Sequence, residues 1–394
     1  MDLHIIFLHL AIILFLARII GDTFSKLGLP AVLGEIFVGI LLGQSVLGIL
    51  EPNETLRLFA EIGVILLLFQ VGLEADVQKL KDVGVLAFIV AFVGASLPMI
   101  LGTLVSLYFL SLPLATSLFI GGTLTATSIG ITVKVLEDLG KMRERFAQIV
   151  LGAAVLDDVF GVVILSALYE FSKEGTLHVS AILTLLLYIA TFFILSPIVA
   201  QILARIIQML SKALGTEDFI PPTVVSVIFL FAYLAHEVGS PEILGAFTAG
   251  LALSRRLTLP FAIFLKTDEK MAQKVEHTIL PLVWVLTPLF FVYVGIALNL
   301  KAIDFESVEF WLMSCLILLV ALTGKVVSGF LVSGSFREKL LIGFSMLPRG
   351  EVGLIFAELG RQANIYNDLL YAVVIFTVAV TTLLAPISLK LLSK

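Results

Sequence analysis

The sequence predicts an all-α integral membrane protein of 13 transmembrane helices, arranged as an inverted-topology repeat in which two discontinuous helices cross at mid-membrane. Three observations predict this. Of 394 residues, 59% are apolar and only 14% charged, and the mean hydropathy is +1.12, which places the chain in the membrane class and excludes a soluble enzyme. Apolar runs long enough to cross hydrocarbon recur along the whole chain. Three stretches of sequence then repeat after an odd number of such runs.

The runs cover residues 3–20, 30–48, 58–73, 83–108, 113–133, 146–169, 179–204, 221–236, 241–254, 277–298, 308–332, 340–360 and 369–389. Charged, Pro or Gly-rich breaks bound each of them. The first 20 residues lack a basic leading segment and a small-residue cleavage site, so they read as a retained span and not a signal peptide. The formal net charge of −5 comes without a basic patch, which excludes nucleic acid as a partner. The single cysteine, Cys315, excludes an intramolecular disulfide and any cysteine-based metal site. No cofactor is expected.

Charge sets the orientation. With 13 spans, 19 of the 25 Lys and Arg fall in the loops after odd-numbered spans or at the C-terminus, and four fall on the other side. One missed span would exchange the sides of every later loop and destroy this bias. Cytoplasmic loops carry the basic excess, so the N-terminus is expected outside and the C-terminus in the cytoplasm, with the chain in the cell (inner) membrane. Asn53-Glu-Thr55 fits a glycosylation pattern on the outer side, a match common by chance.

The repeat is visible in three places. Pro30-Ala-Val-Leu-Gly-Glu-Ile-Phe-Val-Gly in the second span aligns with Pro241-Glu-Ile-Leu-Gly-Ala-Phe-Thr-Ala-Gly in the ninth. Leu68-Phe-Gln-Val-Gly72 in the third aligns with Phe291-Val-Tyr-Val-Gly295 in the tenth, and the same offset carries Thr125 onto Pro348 and Gly130 onto Gly353. Partners lie seven spans apart and therefore run in opposite directions.

Gly, Pro and hydroxyl residues interrupt the fifth span at Thr125-Ala-Thr-Ser128 and the twelfth at Pro348-Arg-Gly-Glu351. Unwound backbone at membrane depth is tolerated beside a cavity or within protein. Half-helix ends, with the hydroxyls of Thr125, Thr127 and Ser128, can replace part of a cation's hydration shell. The same hydroxyls also serve plain helix contacts in membrane proteins.

Asp157 and Asp158 sit halfway along the sixth span, where a charge costs about 2.5–3.5 kcal/mol to insert. Lys325, in the middle of the eleventh, is their natural partner. Successive helical residues point about 100° apart, so one aspartate can pair with Lys325 while the other faces a water-filled funnel. Arg349 and Glu351 flank the second break as a charge network. Glu35, aligned with Ala246 in the repeat, reads as a funnel or gate residue or a helix contact. Glu61, His4 and His9 are interfacial and are assigned no function.

The Thr125–Ser128 break, Asp157-Asp158, Lys325 and the Pro348–Glu351 break together resemble the monovalent cation:proton antiporter-2 family, specifically its NapA-like sodium/proton antiporters, over essentially the whole chain. The resemblance implies an NhaA-like fold and a homodimer. It implies dimerisation helices 1–3 at residues 1–82 and 8–10 at 213–304, core helices 4–6 at 83–170 and 11–13 at 305–394, and linker helix 7 at 171–212. It also implies that Asp158 is the main ligand for the cation, Na+ or Li+, and for the proton, and that Asp157 pairs with Lys325. Potassium-efflux relatives carry Gln-Asp and a nucleotide-binding domain; this chain has both acids and stops at Lys394. The Asp-Asp form is associated with electrogenic exchange, two protons per cation. A potassium/proton antiporter, a cation channel, an organic-anion symporter and an intramembrane hydrolase are the rival readings. Two aspartates adjacent on one helix diverge, unlike a catalytic dyad, which argues against the hydrolase.

Overall fold

The computed structural model describes residues 3–27, 29–74, 82–174, 179–214, 220–253, 269–298, 300–349 and 351–393. Among these residues 15 α-helices follow one another: α1 (Leu3–Lys26), α2 (Ala31–Leu42), α3 (Glu54–Glu74), α4 (Gly84–Leu104), α5 (Leu114–Thr123), α6 (Ile129–Asp138), α7 (Arg145–Glu174), α8 (Val179–Leu214), α9 (Ile220–Glu237), α10 (Glu242–Leu253), α11 (Glu269–Ala297), α12 (Val308–Phe330), α13 (Phe336–Ser345), α14 (Glu351–Gln362) and α15 (Asp368–Ser393). A π-helical turn, Val105–Phe109, extends α4.

Eight of these helices are long and apolar enough to cross a membrane. Ala31–Leu42, Leu114–Thr123, Pro221–Glu237 and Glu242–Leu253 are apolar but shorter. A helix of about 12 residues rises only about 18 Å against about 30 Å of hydrocarbon. The fifth and twelfth apolar runs each contain two helices, α5 with α6 and α13 with α14, separated by Leu124–Ser128 and by residues 346–350. Elsewhere the helices overrun the apolar runs. α8 continues to Leu214 and α11 begins at Glu269, because hydropathy marks the part of a helix that sits in oil, whereas Lys, Glu and Gln extend it readily into water.

Local signals explain several ends. Pro30 and Pro113 stand immediately before α2 and α5, where proline's fixed φ suits helix entry and its missing N–H costs nothing. Ser307 accepts a hydrogen bond from the Phe310 amide at the start of α12, and Ser335 one from the Glu338 amide at the start of α13.

The chain divides into two compact units. The first comprises Met1–Leu56, Val83–His178 and Phe291–Lys394. At its centre α4 packs against α5, α7 and α12, and α15 lies against α12, α13, α14 and α6. Phe119, Phe310, Ile317, Phe356 and Val373 form its buried apolar cluster. The second comprises Arg57–Asp82 and Val179–Phe290 and packs α10 against α8 and α9.

Bare glycine backbones set the closest approaches. A β-carbon on Gly39 of α2 would lie 2.0 Å from the carbonyl oxygen of Val292, and one on Gly295 would lie 2.2 Å from that of Ile36. In the second unit, a β-carbon on Gly250 of α10 would lie 2.1 Å from the Phe69 oxygen, and one on Gly72 would lie 2.2 Å from that of Phe247. Gly39→Val is expected to force α2 off residues 292–296 and to destabilise the fold by about 1–3 kcal/mol. The check is thermal unfolding in detergent, where the variant should melt below the parent.

Candidate functional site

Each broken span leaves backbone groups that helical bonding does not use, and the first unit pairs them with each other. The Ser128 amide donates to the Pro348 carbonyl at 2.7 Å. The Thr127 hydroxyl donates to the Met346 carbonyl at 3.0 Å and that of Thr132 to the Ser345 carbonyl at 2.7 Å. The Thr125 hydroxyl turns back onto the Gly122 carbonyl at 2.7 Å. Two interrupted helices are thereby joined through the unwound segments, which satisfies buried backbone groups that helical bonding leaves unused. Ser128 Oγ is buried and has no hydrogen-bond partner among the described residues, so its lone pairs remain available to an ion or water.

Arg349 lies in the second break and is wholly buried. Its Nη1 donates to the Ala126 carbonyl at 2.9 Å, so the guanidinium of one break bonds the backbone of the other. Nε and Nη2 have no partner among the described residues. The Thr382 hydroxyl of α15 accepts from the Arg349 amide at 3.3 Å and donates to the Arg349 carbonyl, fixing the unwound residue from behind. Glu351 opens α14; its side chain lies outside the described residues. Thr382→Val removes both bonds from a buried backbone and is expected to destabilise by about 1–3 kcal/mol. Melting in detergent, with the isosteric change Thr381→Val alongside, measures this.

Beside the crossing, α7 carries Asp157 and Asp158, both buried. Lys325 of α12 donates from Nζ to both carboxylate oxygens of Asp157 at 3.1 Å, and neither side chain has any exposed surface. Asp158 also lies within electrostatic reach of the Lys325 ammonium, as does Arg349. Four formal charges, two of each sign, therefore share one water-poor region. α4 packs against both α7 and α12, and the lysine stem crosses it at Gly94. A β-carbon there would stand 3.7 Å from Lys325 Cδ and 3.5 Å from Ser328 Oγ.

Glu35 stands apart from this group. It is buried on α2 and lies beside α1 and within electrostatic reach of Lys134 on α6. Glu61 is exposed and pairs with Arg57 at 2.7 Å. The site residues that sequence reasoning missed are Thr382, Thr132 and Gly94. Thr381-Thr382, a hydroxyl pair in mid-span, was the available signal for the first; nothing local marks the other two.

Two interrupted helices joined through their unwound segments beside buried ionisable groups are the kind of arrangement that secondary active transporters use. Within that class the chain belongs to the sodium/hydrogen exchanger family: residues 11–394 match the family described as "Sodium/hydrogen exchanger, transmembrane". It is a multi-pass membrane transporter and not an enzyme. Among curated relatives it is 33% identical to the high-affinity Na+/H+ antiporter NhaS3 of Synechocystis sp., over 97% of this chain and 88% of that one. It is 32% identical to the Na+/H+-K+ antiporter GerN of Bacillus cereus, over 98% of this chain and 95% of that one. Among solved structures, the sodium proton antiporter MjNhaP1 of Methanocaldococcus jannaschii superposes with a TM-score of 0.72 at 18% identity, covering 100% of this chain and 99% of that one. That likeness is one of fold.

Proposed function

We propose that this chain exchanges a monovalent cation, Na+ or Li+, for protons by alternating access, with Asp158 as the shared ligand. The observation that supports the reading is the buried Lys325–Asp157 ion pair beside a second buried acid, Asp158, on the same helix. Thr125, Thr127 and Ser128 supply oxygen ligands at the break. Arg349 and Glu351 balance the half-helix ends. A cation arriving beside Lys325 raises the electrostatic cost of its ammonium, so Asp158 and Lys325 each release a proton per cation bound. Two protons then enter as one cation leaves, and 100 mV of membrane potential adds about 2.3 kcal/mol to the drive.

With each broken pair counted once, the 15 helices among the described residues are compatible with 13 spans. The inverted repeat is supported by packing: Gly39 meets the Val292 carbonyl as Gly250 meets that of Phe69, and Gly295 meets the Ile36 carbonyl as Gly72 meets that of Phe247. Each pair joins aligned positions of the two halves. In the moving picture, α4–α7 and α12–α15 form the core, α1–α3 and α9–α11 the scaffold of a homodimer, and α8 the link, with the C-terminus cytoplasmic.

The test is a pH-sensitive dye in proteoliposomes, with sodium, lithium and potassium added in turn. Proton release on sodium or lithium addition is expected. A response to potassium alone would move the chain to potassium/proton exchange, which the name of the relative GerN makes the second cation to try. Stepwise single-channel currents would overturn antiport altogether.

A further inference from the structure

The described part of the first unit contains one buried carboxyl group outside the crossing, Glu35. It lies on α2 one turn from a second polar contact. The amide of Ala31, the first residue of α2, donates to Asp138 Oδ2 at 2.9 Å, so the last residue of α6 caps the start of α2. Lys134, one turn earlier on α6, bonds Glu137 at 3.1 Å and lies 3.2 Å from Asp138 Oδ1. Glu35 is 7% exposed, and its Oε2 has no hydrogen-bond partner among the described residues. Its stem passes Gly21 of α1, where a β-carbon would lie 3.6 Å from Glu35 Cγ, an ordinary contact distance.

The charged groups around Glu35 come from two packed helices. From α6, Lys134 attracts the carboxylate and Asp138 repels it, the attraction being the larger. From α1, Arg18 and Asp22 act more weakly and oppose each other, as they form a pair at 3.0 Å. The residues of α11 that meet α2 at this level, Val292, Gly295 and Ile296, carry no charge. An ionised Glu35 therefore pulls α6 toward α2. A protonated one leaves the Asp138–Ala31 contact to hold the two helices by itself.

We propose that Glu35, Lys134 and Asp138 form a charge-dependent latch joining α2 to the inner half of the broken fifth span, and that this latch opens in every transport cycle. The inference rests on the antiport reading, in which α6 belongs to the moving core and α2 to the scaffold. α6 is a single uninterrupted helix of 10 residues. Ser128, which bonds Pro348 at the crossing, stands at one end, and Asp138 stands at the other. A restraint at Asp138 is thus transmitted along one short helix to the ion site. Glu35 acts as a positioning residue, setting the pH range of exchange through α6 without touching the ion. The positive-inside bias places this end of α2 and α6 at the cytoplasmic face, where the latch samples internal pH.

The experiment is sodium-driven proton movement in proteoliposomes at about pH 6.5 and about pH 8.5 for the parent, Glu35→Gln, Lys134→Gln, the double variant and Glu35→Asp. Asp158→Asn serves as the inactive control. Glu35→Gln is expected to keep exchange but change the ratio of the two rates by about threefold, the order of a modest charge–charge attraction. Lys134→Gln should do the same, the double variant should add nothing, and Glu35→Asp should restore the parent ratio. Lys134→Gln, at a partly exposed position, removes the same attraction from its other side should Glu35→Gln fail to reach the membrane. Superimposable pH profiles for parent and single variants, or effects that multiply in the double, overturn the latch. Absence of exchange in the parent overturns the antiport reading instead.

Discussion

Proteoliposomes carrying Asp158→Asn are expected to lose sodium-driven proton movement by about two orders of magnitude. An amide neither binds a proton in the working pH range nor offers the full charge that offsets a cation's dehydration, and charge-assisted contacts contribute about 1.5–3 kcal/mol each. The side chain is nearly isosteric and Asp158 is only 3% exposed, so the fold should survive. An unchanged melting temperature together with lost transport separates ion binding from a structural role. Asp158→Glu keeps the charge and should retain partial exchange with altered cation affinity. Full exchange by Asp158→Asn would remove Asp158 from the mechanism.

Lys325→Ala is expected to act twice. It strands the Asp157 carboxylate in a region with no exposed surface. Removing one partner of a buried pair costs about 3–5 kcal/mol, so the melting temperature should fall sharply. Asp157→Asn combined with Lys325→Ala removes the stranded charge and should recover much of that loss. The second effect is on coupling. If Lys325 supplies one of two exchanged protons, its loss makes exchange one for one, and a membrane potential no longer accelerates it. Flux measured with and without a potassium-diffusion potential reads this directly. A variant that stays voltage-dependent would retire the two-proton stoichiometry while leaving the site itself standing.

How much of this was legible in the sequence follows from which interactions leave a local trace. Asp157, Asp158 and Lys325 stand out because a charge inside an apolar run has a large insertion cost and therefore a reason to be there. The breaks at Thr125–Ser128 and Pro348–Glu351 are readable because Gly, Pro and hydroxyl residues weaken helices wherever they fall. By contrast, Thr382 looks like any threonine that bonds its own helix, and only the fold brings it against Arg349. The carbonyls of Ala126, Met346 and Pro348 take part through backbone, which every residue has. Gly94 lies beside the lysine stem through the packing of α4 with α12, which its own neighbours in sequence do not reveal. Helix ends were hidden for another reason: the apolar stretch of α11 reports the thickness of oil, whereas its charged first turns from Glu269 obey helix propensity alone.

The central claim is that protons and a metal cation compete for one carboxylate. Calorimetric titration of sodium into the purified protein, repeated in buffers of different ionisation enthalpy, counts the protons set free per cation bound. The account predicts about two protons released by the parent, given release from both Asp158 and Lys325, and none from Asp158→Asn. Sodium binding that releases no proton in the parent would contradict it.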